Sequence, residues 1–166
     1  MLHCPSESAS DGPIAQPALP TRVDESLPPP VDYDCPRAIV TVTRDFDAAV
    51  LSPSHSHPRG ELLYAEHGTL TVTAAEGNWI APQNRAIWIP AGVTHVTRHT
   101  VNTEVRAVFI RHDAVPDLPE HCTVVQVGRL LRELILTAVR LPALYDEDGA
   151  DGRLVRVLLD RIAVLP

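Results

Sequence analysis

From residue 37 to about residue 127, short apolar runs rich in β-branched residues alternate with turn-forming segments. This spacing predicts about eight short strands in an antiparallel barrel or sandwich. Gly68 and Gly77 lie between runs, as expected of hairpin turns. The predicted strands are Ala38–Thr43, Glu61–Glu66, Thr69–Ala74, Trp79–Ala81, Ala86–Ile89, His95–His99, Val105–Arg111 and Thr123–Val127.

After residue 127 the period of the apolar positions changes to that of a helix. Pro142 ends this first helix, and a second helical pattern runs from about residue 151 to residue 163. Two interpretations remain open: the helices cover one open end of the barrel, or they form a dimer interface. The stripe of the first helix consists of Val127, Leu130, Leu131, Leu134, Ile135 and Ala138, and the second helix contributes Leu158 as a further interface candidate.

The first 36 residues hold eight of the sixteen prolines and few large apolar side chains. This composition predicts an extended, disordered arm that acquires order by docking. The sequence therefore divides into a Pro-rich arm at 1–36, a β-barrel at 37–127 and a helical dimerisation or lid segment at 128–166.

The composition indicates one globular domain, since 166 residues with 45% hydrophobic content can bury a single core. A net charge of −7 argues against a nucleic-acid-binding face. No apolar run approaches the roughly 20 residues that span a bilayer, and no signal peptide is recognisable. Cys4, Cys35 and Cys122 are few and widely spaced, as expected of reduced thiols. We therefore expect a cytoplasmic protein that does not bind membranes.

Four residues, His55, His57, Glu61 and His95, have spacings that suit one metal ion. His55 and His57 are two positions apart, so on an extended strand both side chains leave the same face. Glu61 follows a Pro/Gly turn, and His95 follows a second turn-forming segment. Three imidazoles and one carboxylate suit Mn, Fe, Co, Ni, Cu or Zn. The sequence thus predicts a divalent transition metal as cofactor; otherwise the same residues serve as polar contacts to a ligand.

These residues also resemble the motifs of a known family. His55-x-His57-x3-Glu61-x6-Gly68 resembles the first cupin motif, and the stretch 90–95, which ends in His95, resembles the second. The resemblance implies a mainly β fold, the double-stranded β-helix or jelly roll, with one metal held in the mouth of the barrel.

A narrower resemblance is carried by the stretches Leu62–Ala65, Arg85–Gly92, Leu130–Leu136, Tyr145–Asp146 and Leu158–Asp160. They resemble the sensor half of AraC-type bacterial transcription regulators. This resemblance implies a cupin barrel that binds a small-molecule effector and a homodimer formed through helices at 127–141 and 151–163. The DNA-binding half of such regulators would begin where this sequence stops, so we expect no direct DNA binding.

Two classes of function remain open. The first, which we expect, is a non-enzymatic sensor and dimerisation domain of a regulator. The second is a stand-alone metal-dependent cupin enzyme, such as a dioxygenase or isomerase, that uses open metal positions for substrate or O₂. Candidates for the ligand pocket are Trp79, Trp88, His99 and Tyr64. The two tryptophans offer an aromatic wall for a ligand, or else serve as core residues.

Overall fold

The computed structural model describes residues 22–115 and 117–164, and this part of the chain contains nine strands in two antiparallel sheets. The predicted jelly roll with two helices after it is confirmed. The elements are β1 Ile39–Phe46, β2 Val50–Leu51, β3 Gly60–His67, β4 Leu70–Ala74, β5 Gly77–Ala81, β6 Arg85–Ile89, β7 His95–His99, β8 Thr103–Ile110, β9 Thr123–Gln126, α1 Arg129–Ala138 and α2 Ala150–Ala163. One sheet has the strand order β1-β8-β3-β6-β9, and the other has the order β2-β7-β4-β5.

Strand β3 is buried on both faces of the five-stranded sheet. Leu63 and Ala65 belong to the hydrophobic layer between the two sheets. Leu62 and Tyr64 belong to a second layer, between the five-stranded sheet and the helices. Because side chains alternate along a strand, neighbouring residues of β3 enter different layers. A sheet covered on both sides explains why β3 is almost continuously apolar.

Helices α1 and α2 lie on the outer face of the five-stranded sheet. Leu131 and Ile135 of α1 and Leu158 and Ile162 of α2 are buried against that face. The helices therefore do not cover an open end of the barrel, because the outer face is itself apolar and needs burial. Leu158 is 0% exposed within one protomer, so its proposed place in a dimer interface was wrong.

The segment that carries the first two histidines differs from the expected strand. Between β2 and β3 the regular pairing is limited to one isolated antiparallel bridge, between His55 and His95. Strand β2 was not predicted, because two residues are too few to show a period.

Residues 22–36 dock along the barrel without regular secondary structure. Val23 forms an isolated parallel bridge with Leu51, and Leu27 and Cys35 are buried. The inner part of the predicted arm is thus in contact with the barrel, while residues 1–21 lie outside the described part of the chain. None of the helices among the described residues is long and apolar enough to cross a membrane.

Candidate metal centre and barrel cavity

Backbone hydrogen bonds join the two histidine-bearing segments. The amide of His55 donates to the carbonyl of His95 at 3.0 Å, and the amide of His95 donates back at 2.9 Å. The amide of Gly92 donates to the carbonyl of His57 at 2.8 Å. These bonds place three imidazoles together although one of them lies about forty positions away in the sequence.

The four predicted metal ligands lie close together in the structure. The nearest ligand nitrogens of His55, His57 and His95 are all within 4.8 Å of one another. Glu61 projects from β3 next to them, with its Oε2 3.1 Å from His57 Nε2 and 3.8 Å from His95 Nε2. Three imidazoles and one carboxylate around a common space form a donor set that suits a transition metal.

All three rings are oriented by main-chain carbonyls. A carbonyl oxygen only accepts hydrogen bonds, so each Nδ1 carries the proton and each Nε2 is left as the candidate ligand atom. Such partners commonly fix the tautomer and orientation of metal-binding histidines. The pairs are His55 Nδ1 with Pro53 O at 2.9 Å, His57 Nδ1 with Arg59 O at 2.6 Å and His95 Nδ1 with Val93 O at 2.9 Å.

The Nε2 atom of His95 is buried and has no hydrogen-bond partner among the described residues. A buried polar atom without a partner is costly, and each such atom calls for an explanation. A cation bound between the three Nε2 atoms and Glu61 would satisfy it. The residues present therefore fit a bound metal.

The protonation of the cluster differs from one histidine to the next. Burial by itself would lower the pKa of His57, but the hydrogen bond and negative charge of Glu61 raise it overall. For His95, burial dominates and lowers the pKa. His57 is therefore the ring of the cluster that binds a proton more readily than an ordinary imidazole. A metal bound at His57 Nε2 would compete with that proton.

A small cavity of about 50 Å³ adjoins the metal-ligand cluster inside the barrel. Two of the ligands, His55 and Glu61, contribute to its wall, and residues of the docked arm close one side. The other residues that line it are Leu27, Pro28, Pro29, Val42, Arg44, Phe46, Ser52, Leu63, Thr97, His99, Val105 and Phe109.

His99 supplies an unsatisfied polar group to this cavity. Its ring stacks on Phe46 with centroids 4.3 Å apart, and its Nε2 is 3.1 Å from the hydroxyl of Thr97. Its Nδ1 is buried and without a partner in the described part of the chain. Burial lowers the pKa of His99 to about 4, so the ring is neutral near pH 7 and offers hydrogen bonding without charge.

The other three pocket candidates do not line this cavity. Trp88 and Tyr64 lie in the outer layer, beneath the helices, and the indole N–H of Trp88 donates to the carbonyl of Pro119 at 2.8 Å. Both alternate with the inward-facing residues of β6 and β3. Trp88 instead lines a different cavity of about 230 Å³, on the outer side of the sheet. Trp79 is half-buried against the inner core, away from the cavity wall.

Several residues of the site were not found from the sequence. Tyr33 packs on His57, Phe109 contacts both rings, and Arg59 is a buried arginine between two metal-ligand candidates. The position of Arg59 inside the first motif was the one available signal. Tyr33 and Phe109 are far from His57 in the sequence, so no local pattern indicates that they contact it.

Comparison with known proteins agrees with the motifs. The family model described as "Cupin domain" matches residues 46–111. The HTH-type transcriptional regulator NimR of Escherichia coli (strain K12) is 36% identical over 115 residues, which are 69% of this chain and 42% of the relative. The chain therefore spans less than half the length of that curated relative. Residues 46–111 therefore match a cupin domain, as predicted, and the chain is related to a transcription regulator.

Two solved structures share the architecture over most of the chain. The AraC-like transcriptional activator CuxR gives a TM-score of 0.60 at 14% identity, covering 78% of this chain and 54% of that one. Apo ToxT K231A from Vibrio cholerae gives a TM-score of 0.57 at 8% identity, covering 75% and 54%. At such low identities the likeness shows the fold alone. That fold is a cupin barrel followed by helices, as in AraC-like regulators.

The buried neutral His99 should make stability depend on pH. Its pKa falls from 6.5 to about 4 on folding, so the unfolded chain binds the proton more readily. The contribution of His99 is therefore fully present above pH 6.5 and is lost as the pH falls toward about 4. A shift of this size corresponds to about 3 kcal/mol. Urea unfolding of wild type and His99→Asn across this range should show a smaller pH-dependent loss for the variant.

Two other histidines also have shifted pKa values: burial lowers the pKa of His95, and Glu61 raises that of His57. Both remain in the variant, so the difference between the two proteins isolates His99. Equal pH dependence in both proteins would show that His99 is not buried in its neutral form.

Proposed function

We propose that this chain is the effector-sensing domain of an AraC-type transcription regulator, with a divalent transition metal at His55, His57, Glu61 and His95. One observation supports the proposal above all. The cluster of three oriented Nε2 atoms and the Glu61 carboxylate adjoins a mainly apolar cavity, whose wall includes His55 and Glu61. A metal held by these residues would therefore lie beside a space for a small molecule. Regulation of transcription by the whole protein is proposed from its relative, a regulator by name.

The bound metal would supply a Lewis acid for a donor atom of the effector. The cavity wall would bind the remainder of the effector. Val42, Leu63 and Phe109 would provide apolar contact, and neutral His99 would offer one hydrogen bond. A cavity of about 50 Å³ holds only a few non-hydrogen atoms, on the scale of roughly 10–15 Å³ per water. A larger effector would displace Leu27, Pro28 and Pro29, which connects ligand binding to the arm.

The first test concerns the metal. His55→Ala should weaken Co²⁺ binding, measured by isothermal titration calorimetry, by more than about 10-fold, because it removes a direct ligand. His55 is only half-buried, so the variant should stay folded. The control is His67→Ala, since the side chain of His67 is 59% exposed and pairs with Glu104 outside the cluster. Equal affinities of His55→Ala and wild type would contradict the metal site.

The second test concerns the effector. In a thermal-shift screen of small molecules against Co²⁺-loaded protein, a ligand of the folded state should raise the melting temperature. Val42→Phe should abolish the shift, because Val42 lines the cavity and the larger ring fills it. Val40→Phe is the matched control: Val40 lies on the same strand and inner face, but not at the cavity.

The same protein should not consume substrate. Oxygen uptake by Co²⁺- or Fe²⁺-loaded protein, assayed with cupin-enzyme substrates, should stay at the level of the buffer. Turnover that disappears in Glu61→Gln would favour the enzyme over the sensor. A screen in which hits bind wild type and Val42→Phe equally would also contradict sensing in the barrel cavity.

We further propose a homodimer through the outer faces of the two helices. Leu130 of α1 is 55% exposed and Val157 of α2 is 44% exposed, on the sides that turn away from the sheet. Leu134 is half-buried at the edge of the outer layer. Burial of such apolar surface favours association by about 25 cal/mol per Å² before association costs.

Leu130→Glu should therefore convert the dimer into a monomer, because it places a charge in the interface. Light scattering coupled to size-exclusion chromatography would measure the mass. Glu133→Gln, on the same helix but in a polar position, should leave the mass unchanged. A wild-type protein that is monomeric at high concentration would contradict the dimer.

A further inference from the structure

Arg59 is an arginine buried to 3% exposure between two metal-ligand candidates. Its guanidinium donates to three main-chain carbonyls of one short segment, residues 33–37: to Tyr33 at 3.0 Å, to Cys35 at 2.5 Å and to Arg37 at 3.0 Å. In the described part of the chain, no carboxylate lies within ion-pair distance of Arg59. A buried cation is costly unless it is hydrogen-bonded, so these carbonyls are what make its burial tolerable.

The backbone of the same arginine orients a metal ligand. The carbonyl oxygen of Arg59 accepts the Nδ1–H bond of His57 at 2.6 Å, which leaves His57 Nε2 directed at Glu61 and the cluster. One residue therefore holds segment 33–37 with its side chain and His57 with its main chain. Movement of the guanidinium would be transmitted over a few bonds to the ligand ring.

Segment 33–37 also contacts His57 directly. The ring of Tyr33 stacks on His57 with centroids 6.0 Å apart and planes 24° apart. Phe109 presents its edge or face to both rings, at 5.1 Å from His57 and 5.5 Å from Tyr33. Aromatic pairs at such distances attract one another. The His57 imidazole is thus confined on the sides by two rings and at Nδ1 by Arg59.

We propose that Arg59 and Tyr33 are positioning residues of the metal centre, through which docking of segment 33–37 and cation binding at His57 stabilise each other. If the segment undocks, Arg59 loses three acceptors, its loop relaxes and His57 loses both its stacking partner and its fixed carbonyl. Cation affinity then falls. Linkage is reciprocal, so a bound cation must hold the segment more tightly by the same free energy. The inference rests on the metal centre proposed above.

Two measurements on the whole chain test this coupling with Co²⁺ as the probe. Calorimetry gives the Co²⁺ affinity and hydrogen exchange gives the protection of residues 33–37, each for wild type, Arg59→Met and Tyr33→Leu. In wild type, Co²⁺ should slow exchange in the segment. Both variants should bind Co²⁺ about 10–100-fold more weakly, as is usual when residues that orient a metal ligand are changed, and should lose the Co²⁺-dependent protection.

A variant that merely destabilises the fold would not alter the ligand field of the ion. The visible absorption of bound Co²⁺ should therefore shift in Arg59→Met, and Arg59→Lys should partly restore affinity and spectrum by donating to some of the same carbonyls. Arg85→Met is the control, since Arg85 is exposed on β6. It should behave as wild type.

The outcomes separate the two proposals. If wild type binds no Co²⁺, both the metal centre and the coupling are overturned. If wild type binds Co²⁺ but Tyr33→Leu and Arg59→Met bind it with the wild-type affinity and spectrum, only the coupling is overturned. Should Arg59→Met fail to fold, Tyr33→Leu decides the question. Unchanged exchange of segment 33–37 on adding Co²⁺ to wild type likewise contradicts the coupling.

Discussion

Successive side chains of strand β3 enter two different hydrophobic layers. This alternation determines on which side of the sheet the helices and the metal-ligand candidates lie. Leu62 and Tyr64 face outward and require the cover that α1 and α2 provide. Glu61 and Leu63 face inward, so the carboxylate enters the barrel beside an apolar wall. A shift of one residue in register would exchange the two sets and move Glu61 beneath the helices. Pairing of β3 with both β6 and β8 fixes the register.

The inward position of Glu61 has a chemical consequence. In a dry interior a carboxylate needs partners, and among the described residues the side chain of Glu61 forms a hydrogen bond with His57. Without a cation, the arrangement leaves His95 Nε2 unsatisfied, and Glu61 raises the pKa of His57. A divalent ion would satisfy His95 Nε2 and Glu61 together, which is the argument for proposing a metal centre over a set of polar ligand contacts.

The arm connects this centre to the rest of the chain. Residues 27–29 line one side of the cavity, and residues 33–37 are held by the buried guanidinium of Arg59. In the proposed function, a ligand too large for the cavity would displace residues 27–29, and cation binding would be coupled to residues 33–37. The ion and the small molecule would then act on adjacent parts of one segment, as suits a domain whose output is a conformational change.

The sequence by itself predicted an antiparallel barrel or sandwich, two helices and four metal-ligand candidates, because strand period, helix period and motif spacing are local properties. The resemblance to the cupin motifs specified the jelly roll. The composition of the arm, which cannot form a core, predicted a segment that is disordered unless it docks. Only the tertiary structure decided which face each aromatic residue occupies, and it moved Trp88 and Tyr64 away from the cavity. It also decided that Leu158 is core, and that Tyr33, Arg59 and Phe109 surround His57. The positions of these residues depend on strand register and on contacts between distant segments, which no local pattern encodes.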